Sequence, residues 1–184
     1  MINKNVILEQ LKEKSIYVSD CDDKIGKNCI YVTLGKILKV YDVPMLDVKT
    51  QNHSKTIIIP ETGLILEPNK LYIGSTNEYT KTYGFVPLLS GLTELAIMGM
   101  EIHITAGFGD NGFEGTWTLE IICANPTIVY PDMLIGKIYY YPLIGDSSIT
   151  YNGKYFGQIE PTISKIETEY VRRRKYNVDK QRNN

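Results

Sequence analysis

The chain has 184 residues, of which 43% are apolar and 22% charged, and a formal net charge of -1. This suits one compact domain with its own core. It supplies no general field to attract nucleic acid, and no apolar run approaches the roughly 20 residues of a membrane-spanning helix. Fourteen tyrosines, with many Ile and Val, favour strands over helices.

In chain order, residues 3–14 set Val6, Ile7, Leu8 and Leu11 among Lys and Glu, the pattern of a short amphipathic helix. The same segment has no apolar h-region and no small-residue cleavage site, so a cytoplasmic location is expected. Cys21, Cys29 and Cys123 are odd in number and scattered, which suits a reducing compartment and small buried hydrophobes. Ile30 to Val40 reads as a strand pair, or one bent strand, around Gly35. Thr56 to Ile59 is β-branched and apolar. Gly63–Leu66 and Leu71–Gly74 flank Pro68-Asn69, a hairpin signal. Asn77 to Lys81 is polar and reads as a surface loop.

The stretch from Pro87 to Glu120 predicts a loop, a short helix capped by Ser90, a strand over 101–105, a Gly-rich reversal around Asp110 and a second strand. On that last strand Thr116, Thr118 and Glu120 share one face, and Trp117, Leu119 and Ile121 the other. Trp117 is expected in the core and His103 as a packed or interface side chain. Thr127–Tyr130 and Leu134–Tyr141 read as the last long strands. Many short strands punctuated by Gly and Pro imply an all-β barrel or jelly-roll-like sandwich with a short N-terminal helix and one short internal helix. The domain is expected over 1–169, and 170–184, opening with the Arg172–Lys175 run, as a basic, polar and mobile tail.

Several chemistries are set aside on motif grounds. Neither His53 nor His103 has a Glu two residues on, and no C-x-x-C exists, so the zinc-deaminase pattern is missing. There is no Walker A loop and no G-x-S-x-G elbow. No metal site is expected.

The chain resembles the dCTP deaminase branch of the dUTPase superfamily. S-G-L-T-E-L-A-I-M-G-M, H-I-T-A, D-N-G-F-E-G and T-L-E stand in register with that family's D-G-R-S-S-L-A-R-x-G-L, H-V-T-A, D-P-G-x-x-G and L-E. Cys29–Gly35, Leu66–Ser75, Pro131–Gly136 and Tyr151–Ile166 extend the likeness. The resemblance implies a dUTPase-like distorted β-barrel, a homotrimer with pockets shared between subunits, and metal-free deamination at C4 of cytosine in a deoxynucleotide. It implies no cofactor, with Mg only as a nucleotide counter-ion. Glu120 matches the carboxylate that acts as general base on water and then acid to the leaving amine. Thr93 keeps a hydroxyl where the family has Ser. Ala106, Asp110, Tyr151, Lys154 and Gln158 match ligand contacts.

The likeness fails where charge matters most. Leu92 and Ile97 stand in place of arginines and Glu94 in place of a serine. Bonds to charged groups contribute roughly 1.5–3 kcal/mol each. Losing three amounts to on the order of 5 kcal/mol, more than a thousandfold in affinity. Glu94 in a helix's first turn is favourable to the helix dipole. Against a phosphate about 4 Å away it is repulsive by roughly 4 kcal/mol at an effective dielectric of 20.

The reading expected from these residues is a protein that binds or sequesters a nucleotide-type ligand without efficient deamination. Viral genomes carry members of the resembled family, and a phage protein that soaks up a host signalling nucleotide is one form of it. The alternatives are an active deaminase or diphosphatase with a rearranged phosphate grip, and a trimeric adaptor without nucleotide binding. Neither a membrane nor a nucleic-acid partner is expected.

Overall fold

The computed structural model describes residues 1–173. Helix α1 (Lys4–Glu13) is followed by β1 (Ile16–Val18), β2 (Ile30–Thr33), β3 (Ile37–Tyr41), β4 (Ser54–Ile58), β5 (Leu64–Leu66), β6 (Tyr72–Ser75), β7 (Thr80–Thr82) and β8 (Phe85–Gly91). Then come α2 (Thr93–Ile97), β9 (Met100–Glu101), β10 (Glu114–Gly115), β11 (Thr118–Cys123), β12 (Thr127–Val129) and β13 (Leu134–Pro142). Residues 166–173 are helical, which crosses the expected 169/170 boundary; the rest of the expected tail lies outside the described residues.

The strands form sheets ordered β4-β3-β6-β11-β9, β2-β13-β8, β1-β7-β10 and β12-β5. They enclose one core that includes Ile30, Val32, Leu34, Leu38, Leu89, Leu119, Ile121, Ile135 and Ile138. The all-β expectation therefore holds, as do α1 and the break at Gly35 between β2 and β3. Helix α1 begins where the Asn3 side chain accepts from the Val6 N–H and ends at Lys14 in the left-handed region (φ 63°). The three cysteines are free and buried, and no helix among the described residues is long and apolar enough to cross a membrane.

Four local expectations are corrected. Ser90 does not cap α2. It lies inside β8, paired with Lys137, because the nine-residue β13 carries the ladder on to Gly91, and Leu92 becomes a cap with no side-chain bond. The strand expected over 101–105 is only Met100–Glu101. Beyond it the chain turns aside after the Ile102 carbonyl accepts the Glu120 N–H at 2.8 Å.

The third correction concerns β5 and β6, which are not a hairpin. Pro68-Asn69 does turn the chain, with Asn69 at φ 58°, but it hands the chain between sheets, so β5 pairs with β12 and β6 with β3 and β11. The fourth concerns residues 77–81, which are not a surface loop. Glu78 and Thr80 are each 1% exposed, and β7 is the centre of its sheet. Glu78 is tolerated there because its carboxylate accepts from the Thr33 N–H (2.9 Å), the Thr33 hydroxyl (2.7 Å) and Lys24 Nζ (2.6 Å).

Tyr140 is fully buried, and its hydroxyl has no hydrogen-bond partner among the described residues. Burial pushes that phenol far up from its ordinary value. An unpaired buried hydroxyl is unfavourable, and an apolar group of the same shape removes the penalty. Tyr140→Phe is therefore expected to leave stability unchanged or raise it by up to about 1 kcal/mol. Urea unfolding checks this, and a loss above about 1 kcal/mol would point to a hidden partner.

Candidate functional site

The site is built on β11. Alternation buries Leu119, Ile121 and Cys123 in the core and turns Thr118 and Glu120 to the opposite face. There a cleft of about 480 Å3 opens, lined by Ala106, Asp110, Phe113, Trp117, Glu120, Tyr151 and Gln158 among others. Five of the seven expected site residues thus meet in one cavity: Glu120, Ala106, Asp110, Tyr151 and Gln158. Lys154 lines the neighbouring cavity instead. Thr93 lies exposed on α2 and does not line the cleft.

Glu120 is half-buried, and that burial pushes its carboxyl up from the ordinary carboxylate value. The Ile104 N–H, donating to Oε2 at 3.4 Å, and the nearby His103 pull only partly in the other direction. A carboxyl held this way can both accept and return a proton nearer neutral pH. His103 is half-buried, with Nδ1 shielded from solvent and without a partner among the described residues.

The raised pKa fixes a sign. The folded state holds this proton more tightly than the unfolded chain. The associated stability is therefore full below the ordinary Glu range and is lost as pH rises through the raised value. Glu120→Gln removes the titration, so it is expected to melt higher than the parent at pH 7–8, by up to a few degrees. The gap should close as pH falls towards about 4. A melting series over pH checks it; a gap that widens in acid contradicts it.

The far wall is held by side-chain ties that local sequence does not announce. Gln158 Nε2 donates to the Thr116 carbonyl (2.7 Å) and the Thr118 hydroxyl (3.1 Å), and the Gln158 backbone carbonyl accepts the Thr116 N–H (2.9 Å). That leaves Gln158 Oε1 as a buried acceptor without a partner among the described residues. Asn111, 8% exposed, donates to the Ser147 and Ile149 carbonyls, each at 2.9 Å, and accepts the Gly84 N–H at 2.8 Å. This brings Tyr151 against Phe113, with ring centroids 5.8 Å apart, while Phe113 packs on Trp117 at 5.5 Å. Gly109 passes so close to Trp117 that a Cβ there would sit 2.6 Å from the indole ring.

Trp117 is therefore both core and cleft wall. Phe113, Tyr41, Tyr155, Thr162 and Ser164 also line the cleft and were not singled out from sequence. The Tyr41 hydroxyl accepts the Ser164 N–H across 123 positions of chain, and the Tyr155 hydroxyl accepts the Lys165 N–H. The high tyrosine count was the available signal.

Among the described residues no three His, Cys, Asp or Glu side chains gather to hold a metal. What the cleft offers is a carboxyl pushed up by burial, a second carboxyl at Asp110, aromatic walls and a few polar groups.

The model of the dCTP deaminase-like family matches residues 1–143. The chain belongs to that family. Curated relatives of this dCTP deaminase-like chain carry the description "dCTP deaminase, dUMP-forming". The Clostridium beijerinckii protein is 46% identical over 154 residues, 84% of each chain. The Clostridium acetobutylicum protein is 43% identical over the same share, and the Cytophaga hutchinsonii protein 44% over 134 residues, 73% of this chain and 78% of its own.

Among solved structures the chain is similar to the 2'-deoxycytidine 5'-triphosphate deaminase of Agrobacterium tumefaciens, with a TM-score of 0.58 at 15% identity. That match covers 77% of this chain but 48% of the other, so this chain spans about half its length. It supports the dUTPase-like fold alone. The family match contains Glu120, Asp110, Ala106 and Thr93. It stops short of Tyr151 and Gln158, which the later segment contributes to the cleft wall, and of Lys154 in the neighbouring cavity.

Proposed function

We propose that the Glu120 cleft binds a nucleotide-type ligand, and that the protein holds or sequesters it with little or no deamination. One observation carries this reading. The start of α2, where the family likeness implies a triphosphate grip, has Leu92 as an uncapped N-cap and Glu94 in its first turn, and Ile97, in place of the arginine the likeness implies at the reacting centre, ends the helix 81% exposed. A five-residue helix with a carboxylate in its first turn offers polyphosphate neither a guanidinium fork nor a welcoming dipole.

The cleft itself remains suited to a base and sugar. Aromatic faces and apolar side chains shelter the flat ring, and Asp110, Thr118 and Gln158 can take hydrogen bonds. Magnesium, if it enters, does so with the nucleotide. Thr93 and Ile97 on α2 and Met98 at its C-cap are exposed, and that supports a homotrimer in which a neighbour's α2 completes the pocket.

The second reading is an active deaminase or diphosphatase with a rearranged phosphate grip. The elevated Glu120 carboxyl favours it, since that group can take a proton from water and return it to the departing amine. The description shared by the relatives favours it too. Incubating the purified protein with dCTP and resolving the products by anion-exchange chromatography separates the two. The binding reading expects dCTP to be recovered intact. Turnover at about 1 per second or faster, the ordinary enzyme range, overturns it, and Glu120→Gln should then abolish turnover while binding survives.

A further inference from the structure

Beside the Glu120 cleft lies a second, more open cavity of about 390 Å3, whose walls include Lys39, Lys154 and Lys165. The two cavities share Gln158 and Thr162. Lys154 and Lys165 are tied together. Lys154 Nζ donates to the Lys165 carbonyl at 3.3 Å, and Lys165 Nζ to the Lys154 carbonyl at 2.8 Å. Both ammonium groups lie over the ring of Tyr155, 5.6 and 5.5 Å from its centroid.

Two like charges therefore share one aromatic residue, and beyond that ring and two backbone carbonyls they have little carboxylate near them. Glu169 reaches Lys154 only at 3.8 Å and is 42% exposed, so water screens the pair. Among the described residues no carboxylate lies within salt-bridge distance of Lys39 or Lys165, and Glu160 is the one acid in the cavity wall. Lys39 is half-buried on β3, one strand from β6 and two from the β11 strand that carries Glu120. Half-buried ammonium groups held near one another raise each other's energy, and a bound anion relieves it.

We propose that this cavity is an anion site, and that it takes the phosphate end of a nucleotide whose base and sugar occupy the Glu120 cleft. The inference rests on the nucleotide reading of that cleft. Lys39 and Lys165 are the additions: with Lys154 they supply positive charge in the cavity that adjoins the cleft at Gln158 and Thr162. Ammonium groups grip phosphate as point charges rather than as planar forks. Such a site retains a polyphosphate while orienting it loosely, which suits holding more than in-line chemistry.

Calorimetry on the full chain tests this with tripolyphosphate, deoxycytidine and dCTP as probes. The variants are Lys39→Gln/Lys165→Gln and a charge-matched control, Lys4→Gln/Lys12→Gln, on the exposed face of α1. Tripolyphosphate is expected to bind the parent and to compete with dCTP. The Lys39/Lys165 variant should weaken both by about 10- to 100-fold and leave deoxycytidine unchanged, while the control changes neither by more than about threefold.

Unaltered tripolyphosphate and dCTP binding in the Lys39/Lys165 variant overturns the site. Equal weakening in the control overturns it too, because the effect is then general charge. If deoxycytidine and dCTP fail to bind the parent while tripolyphosphate binds through Lys39 and Lys165, the anion site stands and the nucleotide reading falls. Unchanged deoxycytidine binding also shows that the variant is folded.

Discussion

Glu78→Ala is expected to cost about 3 kcal/mol of stability, the largest single-residue loss outside the apolar core. Removing one partner of a buried ion pair typically costs 3–5 kcal/mol. The lower end applies because Lys24 is 20% exposed and can regain water once its partner is gone. The Thr33 N–H cannot, since Thr33 is 7% exposed and its amide points at the missing carboxylate. The Thr33 hydroxyl loses its acceptor as well. For a chain of this size the loss corresponds to a fall in melting temperature of roughly 6–12 °C. Glu78→Gln, which keeps the shape but replaces one acceptor oxygen with a donor, should fall between the two. A melting temperature within about 2 °C of the parent for Glu78→Ala would show that the network is not stabilising.

The second large effect is at Asn111, and it links stability to binding. Its side chain makes three hydrogen bonds that tie the Gly84 turn to the Ser147–Ile149 segment. Asn111→Ala leaves those backbone groups to find water. At roughly 1 kcal/mol per bond the expected loss is about 2–3 kcal/mol. The segment it releases leads directly to Tyr151, whose ring closes one side of the cleft on Phe113. Ligand affinity should therefore fall by about tenfold or more, a fall that purely global destabilisation does not give while the protein remains folded. Gly112 supplies an independent check. It sits at φ 82°, and a Cβ there would lie 2.4 Å from the Thr150 Cβ, so Gly112→Ala should free the same segment by sterics. If both variants unfold more easily yet bind as the parent does, the 147–151 segment is not part of the binding wall.

These two residues also show what could and could not be read from sequence. The face taken by Glu120 was legible because period-2 alternation fixes which side of a strand a residue takes. Asp110 was legible because glycines bracket it at a reversal. Glu78 was not legible. A polar run reads as a loop unless its partners are known, and Thr33 and Lys24 are 45 and 54 positions away. Ser90 had the chemistry of a cap, but whether a strand continues through it depends on the length of β13, far along the chain. Pro68-Asn69 signalled a turn correctly. No local signal states whether a turn returns a strand to its neighbour or passes it to another sheet. Two ties that hold the cleft's far wall were hidden for the same reason, since the Tyr41 hydroxyl and the Asn111 amide reach across 123 and 36 to 38 positions.

The most direct measurement uses the chain's single tryptophan. Trp117 lines the cleft, 7% exposed, with its indole N–H bound to the Thr80 hydroxyl. Its fluorescence should therefore report occupancy of the cleft itself. Titration with deoxycytidine, dCMP and dCTP is expected to give a saturable change with at least one of them, with the added nucleotide recovered intact afterwards. No change with any of the three, or recovery of the nucleotide as its deaminated product, would contradict the account.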